Sequence, residues 1–446
     1  MIEHSSLTYA DVNHDVTRVL WKGSRAYWAA VGFCFFGILV GAACWGYQIA
    51  TGLGMVGINV PVAWSTYLVN FVFWVGIAHS GTLISAILFL LRARWRTAIS
   101  RSAEAMTVIA IVCAGLFPFI HLGRVWIFYW IIPYPNQRLL WPNFQSPLVF
   151  DFVAISTYLT VSFLFWYTGM IPDLAVIRDQ ATGWKRKIYG ALSLNWVGSH
   201  RQWHHYGAAY VFFAALATPL VISVHSVVSW DFALSILPGW HSTIFPPYFV
   251  AGAIHSGLAM VLVLLIPLRK IYGFEHIITE STLENVAKTL ILTCAIMGYS
   301  YATEYFVAWY SREKVELGTF IYRATGHYSL WFWLMILCNA VLPYLFFVRR
   351  LRTHPLPLFV TAVLVVFGMW LERYVIIIGA PTHADDPYVW RLFQGPTWME
   401  LGVMFGSFSL FFFAFLLFAK FLPTVSIAEV KEEAATPAAG GEAAAP

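Results

Sequence analysis

The sequence predicts an all-α, polytopic membrane protein with ten transmembrane helices. Three observations carry that prediction. Of 446 residues, 59% are hydrophobic and only 11% charged, against about 25% charged in soluble domains. The apolar residues fall in ten stretches, each of about the 20 residues needed to cross a bilayer as a helix. The basic residues gather on alternate connections.

The expected spans are residues 27–50, 63–91, 105–131, 148–170, 206–230, 246–268, 284–310, 327–348, 356–379 and 398–420. In hydrocarbon the backbone groups must be satisfied within each segment, so each span is expected to be helical. Arg18, Lys22 and Arg25 precede the first span. Four arginines lie in 92–104, and Arg178, Lys185, Arg186, Lys187 and Arg201 lie in 171–205. Arg269, Lys270, Arg349, Arg350, Arg352, Lys420 and Lys431 continue that side. The opposite connections hold only Arg138, Arg312, Lys314, Arg323 and Arg391. The positive-inside rule therefore places both termini in the cytoplasm. The formal net charge of +5 reflects these loops and does not indicate a nucleic-acid partner.

The connections 132–147, 231–247 and 380–398 are rich in Pro and Trp. They suit an interfacial aromatic belt or a stiff docking surface. All five cysteines (34, 44, 113, 294 and 338) lie in apolar spans and form no CxxC pattern, so no metal set is expected. From Ala428 the tail lacks aromatics and apolar periodicity and reads as disordered. The first 26 residues do not resemble a cleavable signal.

A His-Ser-Gly element recurs at His79 and His255, each at a matching place in its span. It suggests two same-direction repeats of four helices. The expected division is a cytoplasmic segment 1–26, a first peripheral helix and loop 27–62, and a four-helix bundle 63–230. A second four-helix bundle at 231–380, a final helix with its outer loop at 381–420 and a cytoplasmic tail at 421–446 complete it.

Ionisable residues within spans are costly and commonly face a bundle interior or polar cavity. With cytoplasmic termini they concentrate in the outer halves. His121 and Arg124 stand one turn apart in the third span, and Asp151 opens the fourth. His225 and Asp231 close the fifth, with His255, Glu304, His327, Glu372 and Arg373 at comparable depth. The inner halves are expected to be sparse. Asp151 follows Ser146 and Pro147, a pair that suits an N-cap and first helical position. Arg124 could neutralise Asp151 or Glu304. Glu372 and Arg373 are neighbours in sequence, point about 100° apart on a helix, and are expected to need other partners.

Three chemistries fit this outer cluster. Quinol oxidation needs proton acceptors, which imidazole and carboxylate supply near neutral pH. Bis-histidine haem b would need facing imidazoles, for which His121 with His225 or His79 with His255 are the crude pairs. Alternating-access transport of an ion or solute is the third, although few spans look broken at mid-depth.

The stretches F117-PFIHLGR-124 and V224-HSVVSWDF-232 carry a family resemblance. The chain resembles the NrfD/PsrC family of membrane quinol-interacting subunits. Within it, residues 20–420 are most similar to the first of the two related large membrane subunits of bacterial alternative complex III. The resemblance implies two four-helix bundles, no redox cofactor held by the chain, and a quinone site near the periplasmic face of the bacterial inner membrane. It implies an iron–sulfur partner on that face, a multihaem cytochrome c, a second ten-helix subunit, smaller membrane subunits, and a cytochrome c or oxidase as terminal acceptor. By position it implies His121 and Asp151 as the catalytic pair, with His225 and Asp231 in support; Arg124 is expected, from its charge one turn from His121, to tune the site electrostatically. His79, His255, Glu304, Glu372 and Arg373 are the expected proton path.

Overall fold

The computed structural model describes residues 8–58, 65–132, 144–383 and 395–435. Among them there are helices and turns and no strand. Ten helices are long and apolar enough to span a bilayer. They are α2 (Arg25–Thr51), α3 (Ser65–Leu90), α4 (Ser100–His121), α5 (Pro147–Gln180) and α7 (His200–Ala233), followed by α8 (Phe245–Tyr272), α9 (Glu280–Ser311), α11 (Ser329–Phe347), α12 (Pro355–Gly379) and α13 (Trp398–Phe421). Four helices of nine to twelve residues flank them: α1 (Tyr9–Arg18), α6 (Gly183–Leu192), α10 (Lys314–Thr325) and α14 (Ile427–Ala435).

Helices α3, α4, α5 and α7 pack as one group, and α8, α9, α11 and α12 as another. The seam between the groups is α3 against α8, with α7 also on α8. Every residue of Ser65–Thr82 in α3 is buried, which explains why this helix carries no amphipathic stripe. The repeated His-Ser-Gly elements lie at the seam. A Cβ on Gly257 would come within 2.7 Å of the Ile77 carbonyl oxygen, so the repeat's glycine lets two backbones touch.

Helices α2 and α13 form a separate pair that leans on α4 and α3. Their contact uses small residues at four-residue spacing, Gly37 and Gly41 against Gly402 and Gly406. A Cβ on Gly406 would lie 2.7 Å from the Gly41 Cα. Lipid tails are as apolar as Leu, so close packing of this kind, rather than hydrophobicity, joins the two. Glu400 fastens the pair to the bundle. Its carboxylate accepts from the Thr66 amide at 3.1 Å, the Thr66 hydroxyl at 2.7 Å and the Gly57 amide at 3.1 Å, satisfying amides at and before the start of α3.

The structure departs from the sequence reading in several places. The third span was expected over 105–131, yet α4 runs Ser100–His121. Gly123 takes φ +67°, and Val125–Ile131 follow as a 3₁₀ turn with Trp126, Phe128, Tyr129 and Trp130 exposed. Arg124 therefore lies outside the helix. The helix starts earlier because Arg101 and Glu104 neutralise each other across one turn, at 2.6 Å. His327, expected to open the eighth span, lies instead in the turn between α10 and α11.

The tail from Ala428 is corrected as well. Residues 427–435 form α14, with Ile427 and Val430 buried against the bundle. Ala and Glu are strong helix formers, and two apolar residues three apart are enough to seat a short helix. Residues 436–446 lie outside the described part, as do most of the Pro- and Trp-rich loops at 133–143 and 384–394. Helices α1 and α14 pack on each other, so both described ends of the chain lie on one face of the bundle, the terminal face. Asp151 lies at the opposite, distal face.

Candidate functional site

At the distal face the structure joins two residues that the sequence left apart. Asp151 stands in the second turn of α5, after Ser146 at the N-cap and Pro147 at the first position. Asp231 stands in the last turn of α7. Helices α5 and α7 pack along their length and bring the two carboxyl groups together. Both are buried or nearly so, and no donor from the described residues reaches either carboxyl.

His121 ends α4 at the same face and is half-buried. The carbonyl of its neighbour Ile120 accepts from Gln48 Nε2 at 2.9 Å, and Gln48 Oε1 accepts from the Tyr67 hydroxyl at 2.5 Å. Gln48 and Tyr67 thus fix the end of α4 from α2 and α3. Sequence reasoning missed both, because one polar residue in an apolar span gives no signal about where it points. Arg124 is exposed and forms no ion pair with Asp151 or Glu304 among the described residues. Glu304 is paired with Arg323 at 3.5 Å, and Arg323 also donates to the Gly239 carbonyl at 3.3 Å.

Glu372 and Arg373 correct a second expectation. They pair directly, Arg373 NH1 to Glu372 Oε1 at 2.5 Å. The arginine stem is long enough to fold back past the helical offset, and the guanidinium then lies over the Phe249 ring, 4.4 Å from its centroid. Tyr301 donates to Glu372, and Asn339 Nδ2 donates to the Tyr301 hydroxyl at 3.1 Å. A π-helical turn at Val375–Gly379 follows immediately; such turns gather at functional sites.

The mid-depth histidines also pair differently from either expected combination. His79 lies against His225, with ring centroids 4.8 Å apart, and against Tyr158 at 5.0 Å. His255 instead bonds Thr293 Oγ1 at 2.8 Å. The two imidazoles in contact leave no gap for a porphyrin between them. His79 Nδ1 donates to the Val75 carbonyl at 2.6 Å, which leaves Nε2 as an acceptor. That Nε2, both ring nitrogens of His225 and Ser80 Oγ are buried with no partner among the described residues. Buried polar atoms without protein partners commonly hold ordered water.

Toward the terminal face lies a cluster that overturns the expectation of sparse inner halves. Tyr158 shares a hydrogen bond with Thr82 at 2.7 Å, and Thr107 donates to the Ala78 carbonyl at 2.7 Å. One turn below Thr107, Glu104 accepts from Tyr210 at 3.1 Å and pairs with Arg101. Arg101 also meets Asp173 at 3.2 Å, the Gly169 carbonyl at 2.7 Å and Ser426 Oγ at 3.2 Å. Arg96 pairs with Glu429 of α14 at 3.0 Å. In sequence Arg96 and Arg101 looked like loop charges that set topology; apart from Glu104, their side-chain partners Asp173, Ser426 and Glu429 lie far along the chain. No group of three or more potential metal ligands forms among the described residues.

These contacts place a buried polar line through an all-helical membrane protein, and comparison with known proteins gives it a family. The profile of the polysulphide reductase NrfD family matches residues 55–383. The chain belongs to the NrfD family. Its match to that family spans α3 to α12 and so includes both helix groups and every candidate site residue. Among curated relatives, a Halobacterium salinarum protein is provisionally named as the C-type membrane component of a dimethyl sulfoxide reductase. It is 26% identical over 347 residues, covering 75% of this chain and 73% of its own length. The C component of the selenate reductase of Mesobacillus selenatarsenatis is 20% identical over 354 residues, covering 77% and 79%. Both names describe parts of reductase complexes, and this NrfD-family chain shares most of their length.

Proposed function

We propose that this chain is the quinol-oxidising membrane subunit of a respiratory oxidoreductase complex. The observation that carries the reading is the Asp151–Asp231 pair on the same distal face as the helix end at His121, on a chain of the NrfD family. Quinol oxidation removes two electrons and two protons and leaves the quinone. His121 takes one hydroxyl proton, and the carboxyl pair takes the other. Arg124 supports the ring from the distal surface. Menaquinol or ubiquinol arrives from the bilayer between helices, past the exposed Trp126, Phe128 and Trp130. The electrons leave to an iron–sulfur subunit on the distal face, whose periplasmic location is supported by the charge bias of the loops. The further proposed chain is a multihaem cytochrome c, a second related ten-helix subunit, smaller membrane subunits and a terminal cytochrome c or oxidase, in a bacterial inner membrane. Reductase names among the relatives support an electron-transfer complex of this general kind.

The polar line from His225 and His79 through Tyr158, Thr82 and Glu104 supports a second role, proton movement across the bilayer. The test of the primary role is His121→Ala in the assembled complex. Loss of a proton acceptor typically costs 10²- to 10⁴-fold. Quinol-dependent reduction is expected to fall by about that factor with assembly of the complex intact. Normal quinol turnover in an assembled His121→Ala complex removes His121 from the mechanism.

A further inference from the structure

Helix α6 carries a feature that neither packing nor the quinol reading uses. It leaves α5 at Gly183, which takes φ +61°, and turns back along it. The Leu192 carbonyl is held by the Tyr167 hydroxyl at 2.8 Å. Tyr167 lies well before the end of α5, about 20 Å back along the helix at 1.5 Å per residue. The C-terminal end of α6 therefore dips toward the membrane interior, and its N-terminal end stands at the terminal face.

One side of α6 is buried. Tyr189 is only 6% exposed, donates to the Phe421 carbonyl at 2.8 Å and accepts from Trp21 Nε1 at 3.1 Å. The neighbouring side, Trp184, Ile188 and Leu192 at helical spacing, is open at 69%, 47% and 38%. Leu194 just beyond is 64% exposed. No described part of the chain covers this row. At the shallow end stand Lys185, Arg186 and Lys187, and none forms an ion pair with a described carboxylate. Lys185 rests over the Trp21 ring at 4.7 Å, while Arg186 and Lys187 are exposed.

Cations in the first turns of a helix oppose its dipole, at about 0.3–1 kcal/mol each. Their position therefore works against helix stability and calls for an anion from outside the chain. The polarity runs along the axis: positive at the level of headgroups, apolar at the level of acyl chains. A basic helix with an aromatic and aliphatic side is the pattern of an interfacial, lipid-binding helix.

We infer that α6 is a binding site for an anionic phospholipid, with the headgroup phosphate against Lys185, Arg186 and Lys187 and an acyl chain along Ile188, Leu192 and Leu194. The site is separate from the distal quinol site and stands whether or not that reading holds.

The experiment uses the purified complex with the full chain, in phosphatidylcholine nanodiscs doped with a photoreactive phosphatidylglycerol or a photoreactive phosphatidylcholine. Cross-linked peptides are mapped by mass spectrometry. Phosphatidylglycerol is expected to label residues 183–194 at least about fivefold more than phosphatidylcholine, since one basic side chain near an anionic surface is worth about that factor. The K185Q/R186Q/K187Q variant is expected to lose that preference, as is wild type at high salt. Wild type under salt needs no mutant to fold. Equal labelling by both lipids, labelling confined to other segments, a preference unchanged by salt, or α6 shielded by a partner protein from both probes would each overturn the assignment.

Discussion

Asp151 and Asp231 face each other without a donor from any described residue. Two like charges at that spacing repel, whereas one shared proton bonds them. A substitution pair separates the chemical role from the structural one. Asp231→Asn keeps a group that donates to Asp151, so the packing of α5 on α7 survives. Its quinol turnover is nonetheless expected to fall about 10²-fold, because the amide cannot carry the proton away. Asp231→Ala leaves the Asp151 carboxyl buried alone. It is expected to lose as much activity and, in addition, about 1–3 kcal/mol of stability. Steady-state turnover and thermal unfolding of the two variants, measured side by side, check both halves. Equal stability loss for Asn and Ala would mean that the pair does not hold the helices. The sequence offered Asp151 and Asp231 individually, since ionisable residues in or bordering apolar spans are costly and stand out. It could not offer the pair, because their spacing is a matter of how α5 rotates against α7. The same holds for His79, which meets His225 across helices rather than its repeat partner His255.

At the level of helices, the ten spans were legible because a bilayer leaves few alternatives to a run of apolar residues. What the sequence hid was where charge re-enters those runs. Arg101 and Glu104 could start α4 only because Asp173, 72 positions away, and Ser426 just before α14 complete their set. Nothing local to residues 92–104 distinguishes such an arginine from one that only anchors a loop. Small residues were a weaker signal. Gly402 and Gly406 let α13 lie backbone to backbone on α2. Gly406→Leu must therefore force the helices apart. Overpacking a tight contact costs roughly 1–3 kcal/mol, and direct backbone contact puts this site at the upper end. The expected outcome is a lower unfolding temperature in detergent, with proteolysis starting in the loop after α2. Since α2 and α13 stand outside the two helix groups, quinol turnover of the surviving protein should change little. Wild-type stability in Gly406→Leu would show that the pair is looser than the contact implies.

Across the whole molecule, polar groups form a broken line from one face to the other. Asp231 and His225 share α7; His79, Tyr158 and Thr82 continue inward; Thr107 and Glu104 share α4; Arg101, Asp173 and Arg96 reach the terminal face. The gaps fall where buried nitrogens and hydroxyls lack partners among the described residues, at His79, His225 and Ser80. Water in those gaps would connect the line, and its two ends would then differ in proton potential. This makes a quantitative distinction. Quinol oxidation alone releases two protons per quinol at the site of oxidation, and any further release must cross the membrane. Sealed vesicles holding the oriented complex, with a pH indicator and a counted pulse of quinol, measure that excess. If the line conducts, wild type releases more than two protons per quinol. His79→Phe fills the same apolar space without an acceptor nitrogen. It should bring the count back to two while electron transfer continues, because His79 stands apart from the Asp151–Asp231 pair. A wild-type count of two would leave the histidine pair as packing, and a His79→Phe count equal to an elevated wild type would route the protons elsewhere.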